Sequence, residues 1–182
     1  MKNSITIFAA IIMMAGLSTK TMAQGVGGDL ENTAVWAKIV VPISITEVTD
    51  LHFGTMLPGT GGTCVLNTAN SRSFTGAIGT TVAPTSYNAT YTITGGVSSA
   101  YILSLPSSPI VVTETAGNTA TMTIDAWTVK FLGQIEEVAN GATSQFDANG
   151  ADAFTIGATL HVAAGQASGI YAGTFDVIAD YN

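Results

Sequence analysis

The chain reads as an all-β protein: an immunoglobulin-like antiparallel β-sandwich behind a cleaved N-terminal signal helix. Three observations carry that reading. Charged residues make up 9% of the 182 residues and hydrophobic residues 47%, and Gly and Thr abound. That composition suits strands that turn Thr or Ser to water and apolar side chains to a core. Apolar residues recur at every second position in several separated runs, with turn residues dividing those runs at short intervals. Beyond the first two dozen residues no helical period is found. A closed barrel is the competing arrangement for such a pattern.

Taken in order, the chain opens with Lys2 and an apolar run, 5–17, too short to span a bilayer. Thr21-Met22-Ala23 places small residues where a signal peptidase reads, which predicts a signal peptide over 1–23 cut before Gln24. The protein is therefore expected to be exported, to the periplasm, the cell surface or beyond, with no stable membrane span. Residues 24–34 are Gly-rich and polar and read as a flexible N-terminal segment; 35–182 read as a single β-sandwich domain.

Within that domain, 35–41 form the first strand-like run, interrupted by Pro42 as at an edge or a strand switch. A second run follows over 43–48, then the short unit Leu51-His52-Phe53. Leu57-Pro58-Gly59-Thr60-Gly61-Gly62 must be a loop; it spells a sortase signal but lacks the hydrophobic span and basic tail that would follow one. Strands are expected at 63–66, 77–82, 87–94, 101–105, 110–113 and 121–127. Residues 130–150 are the least patterned. Phe154, Ile156, Ala158, Leu160 and Val162 then mark a half-buried strand. The terminal run, 169–182, alternates throughout: Tyr171, Gly173, Phe175, Val177, Ala179 and Tyr181 share one side, and Ala172, Thr174, Asp176, Ile178 and Asp180 the other. It predicts one continuous core strand reaching the last residues.

Charge narrows the function classes. The whole chain carries −7; without Lys2 and Lys20, three cations (Lys38, Arg72, Lys130) face twelve acids, a balance of −9. Such a surface repels phosphate backbones, so no nucleic acid is expected as a partner. Cys64 is the only cysteine. An exported domain with one cysteine has no internal disulfide, and Cys64, lying in an apolar run, is expected to be a buried, inert thiol.

No catalytic or cofactor constellation stands out. His52 and His161 have no second ligand at metal spacing. Asp147-Ala148-Asn149-Gly150-Ala151-Asp152 offers oxygen ligands but fails the spacing of a calcium loop and reads as a hairpin turn. There is no nucleophile elbow, P-loop or dinucleotide fingerprint, and Glu136 and Glu137 are adjacent, unlike two carboxylates facing across a cleft. A non-enzymatic protein without cofactors is expected. Trp36 and Trp127 are weak candidates for stacking on sugar rings, Trp127 because it falls on the Thr-rich side of its strand.

Several motifs in fixed order, spanning 37–182, carry a resemblance. They are Val41-Pro42-Ile43-Ser44-Ile45-Thr46, Asp50-Leu51-His52-Phe53-Gly54-Thr55, Pro58-Gly59-Thr60-Gly61-Gly62-Thr63, Leu105-Pro106-Ser107-Ser108, Ile156-Gly157-Ala158-Thr159-Leu160, and the close from Ser168 to Val177. With them the chain resembles a family of exported bacterial β-sandwich domains of unknown function. That family is in turn similar to surface proteins of the spore-coat and fimbrial-subunit type, and Gly169 and Tyr181 occupy places matching the closing strand of such subunits. The resemblance implies a structural or adhesive surface protein acting by strand-mediated assembly or surface display. It makes Gly169, Tyr171, Gly173, Phe175, Val177 and Tyr181 the candidate assembly strand. The partners it implies are further copies or other surface subunits, and a periplasmic chaperone. A glycan-binding module using Trp127 or Trp36 is the alternative. The donor arm such subunits carry is looked for at 24–33, where only Val26 and Leu30 are apolar.

Overall fold

The computed structural model describes residues 31–57, 59–76, 86–117 and 119–182. The expected signal helix and the expected strand at 77–82 lie outside them. Among the described residues there is no helix, and the fold is an all-β, antiparallel, sandwich-like arrangement of two sheets. The chain divides into two units, Met1–Lys38 and Ile39–Asn182. In the first, described residues 31–38 are exposed and outside any strand.

Among the described residues of the second unit, twelve strands follow one another. They are β1 (Ser44–Thr49), β2 (Gly62–Leu66), β3 (Arg72–Gly76), β4 (Ala89–Thr94), β5 (Ala100–Ser104) and β6 (Ile110–Glu114). Then come β7 (Thr121–Phe131), β8 (Val138–Ala139), β9 (Thr143–Gln145), β10 (Ala151–Val162), β11 (Tyr171–Ala172) and β12 (Ile178–Tyr181). The larger sheet runs β1-β4-β10-β7-β6-β11; β2 joins β10, β3 joins β2 and β8 joins β7. The smaller sheet runs β12-β5-β9.

β10 organises the larger sheet. Its apolar residues sit at every second position, and its first half pairs with β4 while its second half pairs with β2. Cys64, Leu66, Phe154 and Ile156 are almost wholly buried. From there aromatic rings link the two sheets. Tyr91 stacks on Phe154 at 5.2 Å, Phe154 meets Phe131 edge-on, Phe131 meets Tyr101, Tyr101 stacks on Phe146 at 4.6 Å, and Phe146 meets Tyr181. Offset and edge-on rings of this kind add to what their buried area contributes. Tyr101 keeps its hydroxyl satisfied by donating to the Asp152 carboxylate at 2.9 Å.

Three sequence expectations are corrected. Residues 35–41 form no strand; the first ladder begins at Ser44, beyond Pro42, whose missing N–H suits the point where pairing starts. Trp127 does not lie on an outward, Thr-rich side: it is buried. The reason is a bulge. Thr128 pairs with Gly157 and Asp125 with Thr159, so Ala126 and Trp127 together oppose Ala158 alone. Ala126 takes a left-handed φ of 48° to accommodate the extra residue. Alternation changes phase there, and Trp127, Val129 and Phe131 follow Ile124 into the core. The terminal run is not one strand but two short ones in different sheets, as described next.

Candidate functional site

The C-terminal segment crosses between the sheets. β11 pairs with β6 in the larger sheet, Tyr171 opposite Glu114; β12 pairs with β5 in the smaller sheet, Ile178 opposite Ser104 and Tyr181 opposite Tyr101. Residues 173–177 between them belong to no ladder. Gly173 sits at the departure point, where an added Cβ would come within 2.9 Å of both the Val111 carbonyl oxygen and a Val112 methyl. Gly169 is equally confined, since a Cβ there would meet the Glu114 side chain at 2.6 Å. Both glycines let the segment lie close against β6.

The side preference read from the sequence survives the change of sheet. Tyr171, Phe175, Val177, Ala179 and Tyr181 are half-buried and pack against the core, while Ala172, Thr174, Asp176, Ile178 and Asp180 are exposed. Phe175 lies on the buried Trp127 at 4.6 Å, tilted 34°. The Trp127 indole N–H finds no acceptor. Tyr171 donates to the Ala167 carbonyl at 2.7 Å and accepts from the Gln166 amide at 2.9 Å, which anchors the turn before β11.

Tyr181 does more than pack. Its hydroxyl accepts from the Gly96 N–H at 2.6 Å and donates to the Val41 carbonyl at 2.6 Å. It thereby joins the turn after β4, the end of β12 and the segment just before β1. Gly95 leaves room for this: a Cβ would stand 2.5 Å from the Phe146 ring and 3.0 Å from the Tyr181 hydroxyl.

β12 is an edge, with β5 as its sole strand neighbour among the described residues. The Asn182 N–H donates to the Ala100 carbonyl. In an antiparallel pair such bonds recur at every second residue. Asp180 and Ile178 therefore face β5, and Ala179 and Tyr181 turn their N–H and C=O outward. Those groups are where another strand can add.

The candidate sugar-stacking residues separate. Trp127 is closed off beneath Phe175, so it offers no ring face to a glycan. Trp36 is 83% exposed. Its neighbours Val35, Ile39, Val40 and Val41 are exposed too, so that 35–41 carries apolar side chains at the surface at every position but Lys38. Sequence reading took this stretch for a strand-like run interrupted by Pro42; the break is there, but the stretch before it joins no ladder.

The titratable groups do not converge on a reaction centre. Burial pushes the Cys64 thiol up to about 11, against a smaller opposing pull from Arg72. The expected buried thiol is what the fold contains. Asp147 is exposed; its carboxyl is held below the usual range by N–H donors of its own turn, from Ala151 and Asn149. His161 meets Asp125 at 2.7 Å on the outer face of the larger sheet, and His52 stacks on Tyr87 at 5.0 Å. No group of three or more His, Cys, Asp or Glu that could hold a metal ion occurs among the described residues.

Comparison with known proteins places the sandwich. A family model described as domain of unknown function (DUF4402) matches residues 43–181. The chain belongs to that family. The match covers every strand of the DUF4402 domain, from β1 to β12, and leaves residues 35–41 outside it. No curated protein and no solved structure matches the chain.

Proposed function

We propose that this DUF4402 protein is a non-enzymatic structural protein of the cell exterior, similar to fimbrial subunits, that assembles through its C-terminal edge. The observation that carries the reading is β12: a short edge strand, its Tyr181 hydroxyl bonded to Gly96 and Val41, with the outward N–H and C=O of Ala179 and Tyr181 in no ladder among the described residues. Natural sheets usually blunt an exposed edge with charge, proline or a covering loop. Here Asp176 and Asp180 point to the exposed side, but the outward backbone between them is free to pair. The leader-like first 23 residues and the acidic, Thr-rich composition support export and display. A periplasmic chaperone that caps the edge before assembly fits the same geometry.

The test is surface labelling of intact cells with a membrane-impermeant reagent, joined to gel analysis of unboiled surface extracts. Labelled multimers are expected, collapsing to monomer on boiling. A protein shielded from the reagent, or strictly monomeric in those extracts, refutes the reading.

Trp36 keeps a glycan-binding reading in view, since an exposed indole is what a sugar ring stacks on. A glycan array comparing wild type with Trp36→Ala decides it; equal profiles remove Trp36 from consideration.

A further inference from the structure

Three unusual features meet at Trp127. The first is in the backbone. Ala126, just before it, holds a left-handed φ of 48° in the bulge that turns the indole inward. A bulge re-aims a side chain at a cost to the ladder, and strained residues persist where something else requires them. The second is an orphan donor. The indole is 6% exposed, and its N–H finds no acceptor among the described residues. A buried polar group left so is uncommon in a native fold and needs a reason. Packing alone does not supply one, since Phe or Leu would fill the place and bring no donor. The third is the cover. Phe175 lies on the indole at 4.6 Å, in the middle of 173–177, and those residues join no ladder. Both ends of this strap are fastened, by β11 to β6 and by β12 to β5, so its middle can lift while both ladders stay paired. Segments without ladder bonds open at the low end of a protein's local stabilities.

We propose that 173–177 are a strap over a small-molecule site, and that when the strap lifts, Trp127 takes a neutral ligand combining a flat ring with an oxygen acceptor. Shape requires the ring. The place to be filled is the one that the Phe175 ring holds, tilted 34° to the indole, and tilted or offset ring pairs are favourable. The N–H requires the acceptor, because a ligand oxygen gives it the partner that the closed fold lacks. Charge requires neutrality. The strap carries Asp176 and no cationic residue, and Asp180 follows on the same exposed side, so nothing in this segment would hold an anion. Aryl ketones and aryl ethers have this make-up.

Ligand and Phe175 compete for one face of the indole. The apparent dissociation constant is therefore the intrinsic one divided by the open fraction. The site uses side chains and not the outward backbone of β12, so a monomer can bind, and its test is independent of assembly.

The test starts from Trp36→Phe, which leaves Trp127 as the one tryptophan and as the source of the one indole N–H signal in a proton–nitrogen NMR spectrum. The probes are acetophenone and α-methylstyrene, which has the same shape with a methylene in place of the carbonyl oxygen. Acetophenone is expected to move the Trp127 indole proton downfield. It is expected to bind about two- to ten-fold more tightly than α-methylstyrene, the range that one hydrogen bond gives. Adding Trp127→Phe should abolish that preference, with affinities read from the ligand's own signals. Adding Phe175→Ala to the starting protein should tighten acetophenone binding at least about ten-fold, because the competing ring is gone. Melting curves check that each variant folds, and Phe175→Leu takes the place of Phe175→Ala if that one does not. The inference fails if acetophenone leaves the Trp127 signal where it was, if the preference survives in Trp127→Phe, or if loss of the Phe175 ring brings no gain. Binding by Phe175→Ala with none in the starting protein marks a cavity made by the substitution, and overturns the inference as well.

Discussion

At the scale of single residues, Trp127 teaches most. Strict alternation from Ile124 puts it outside, on one side with Thr123 and Asp125; one extra residue at Ala126 puts it in the core. No pattern of polarity announces a bulge, because the signal is backbone geometry and not side-chain type. Trp127→Ala is expected to cost about 3–5 kcal/mol through the cavity it leaves under Phe175. Trp127→Phe should cost much less, since it keeps a ring there and discards an N–H without an acceptor. Urea titrations of both variants check this, and equal losses would show that the ring contact is not what matters. Cys64 gives a second prediction. Its thiol is raised from 9.0 to about 11 and the Tyr91 phenol to about 12, in both cases chiefly by burial. A group whose folded value is raised contributes stability that is complete below its unfolded value and is lost as pH climbs through the folded one. The melting temperature should therefore hold up to about pH 9 and fall toward pH 12, less steeply in Cys64→Val. A thiol reagent should react with native protein at pH 8 far more slowly than with protein in urea.

Among the elements, the clean alternations were legible and the breaks were not. β4 and β10 stand where period-two patterning puts them, since each buries one face against a single core. β3, β8 and β9 are short and carry few apolar residues to alternate, so their place is decided by the partners that claim them. The terminal run kept its faces and lost its continuity: Phe175 points inward as read, yet the backbone around it serves neither sheet. Phe175→Asp is expected to cost several kcal/mol by setting a carboxylate against Trp127, while exposed Asp176→Asn costs little, on the order of 0.5 kcal/mol. Ala126→Gly should stabilise by roughly 0.5–1 kcal/mol, because the left-handed φ there strains any Cβ. Gly173→Val should destabilise by driving β11 off β6. Thermal melts rank these variants; a loss in Ala126→Gly would contradict the bulge as described.

For the molecule as a whole, the edge of the candidate site was legible in part. Alternation named its residues, but which of them expose backbone depended on a change of sheet that depends on contacts far along the chain. Residues 35–41 were legible as a strand and not as an unpaired one. Charge gives a prediction at this scale. Copies carrying a strong net negative charge repel one another over a distance that salt shortens. If apolar strand addition drives assembly, raising sodium chloride from about 50 to 500 mM should increase the multimer fraction seen by light scattering. A decrease would assign the driving force to charge pairs between copies. Finally, the hydroxyl of Tyr181 reaches back 140 residues to Val41. β5 and β6 each take an edge partner from the last dozen residues. A chain folding from its N-terminal side thus holds both sheets unfinished until residues 171–181 are available. A truncated product lacking 170–182 loses a strand from each sheet and the pin at Val41 together. Synthesis as far as Tyr181 is therefore checked by folding itself, and shorter fragments are left open to proteolysis.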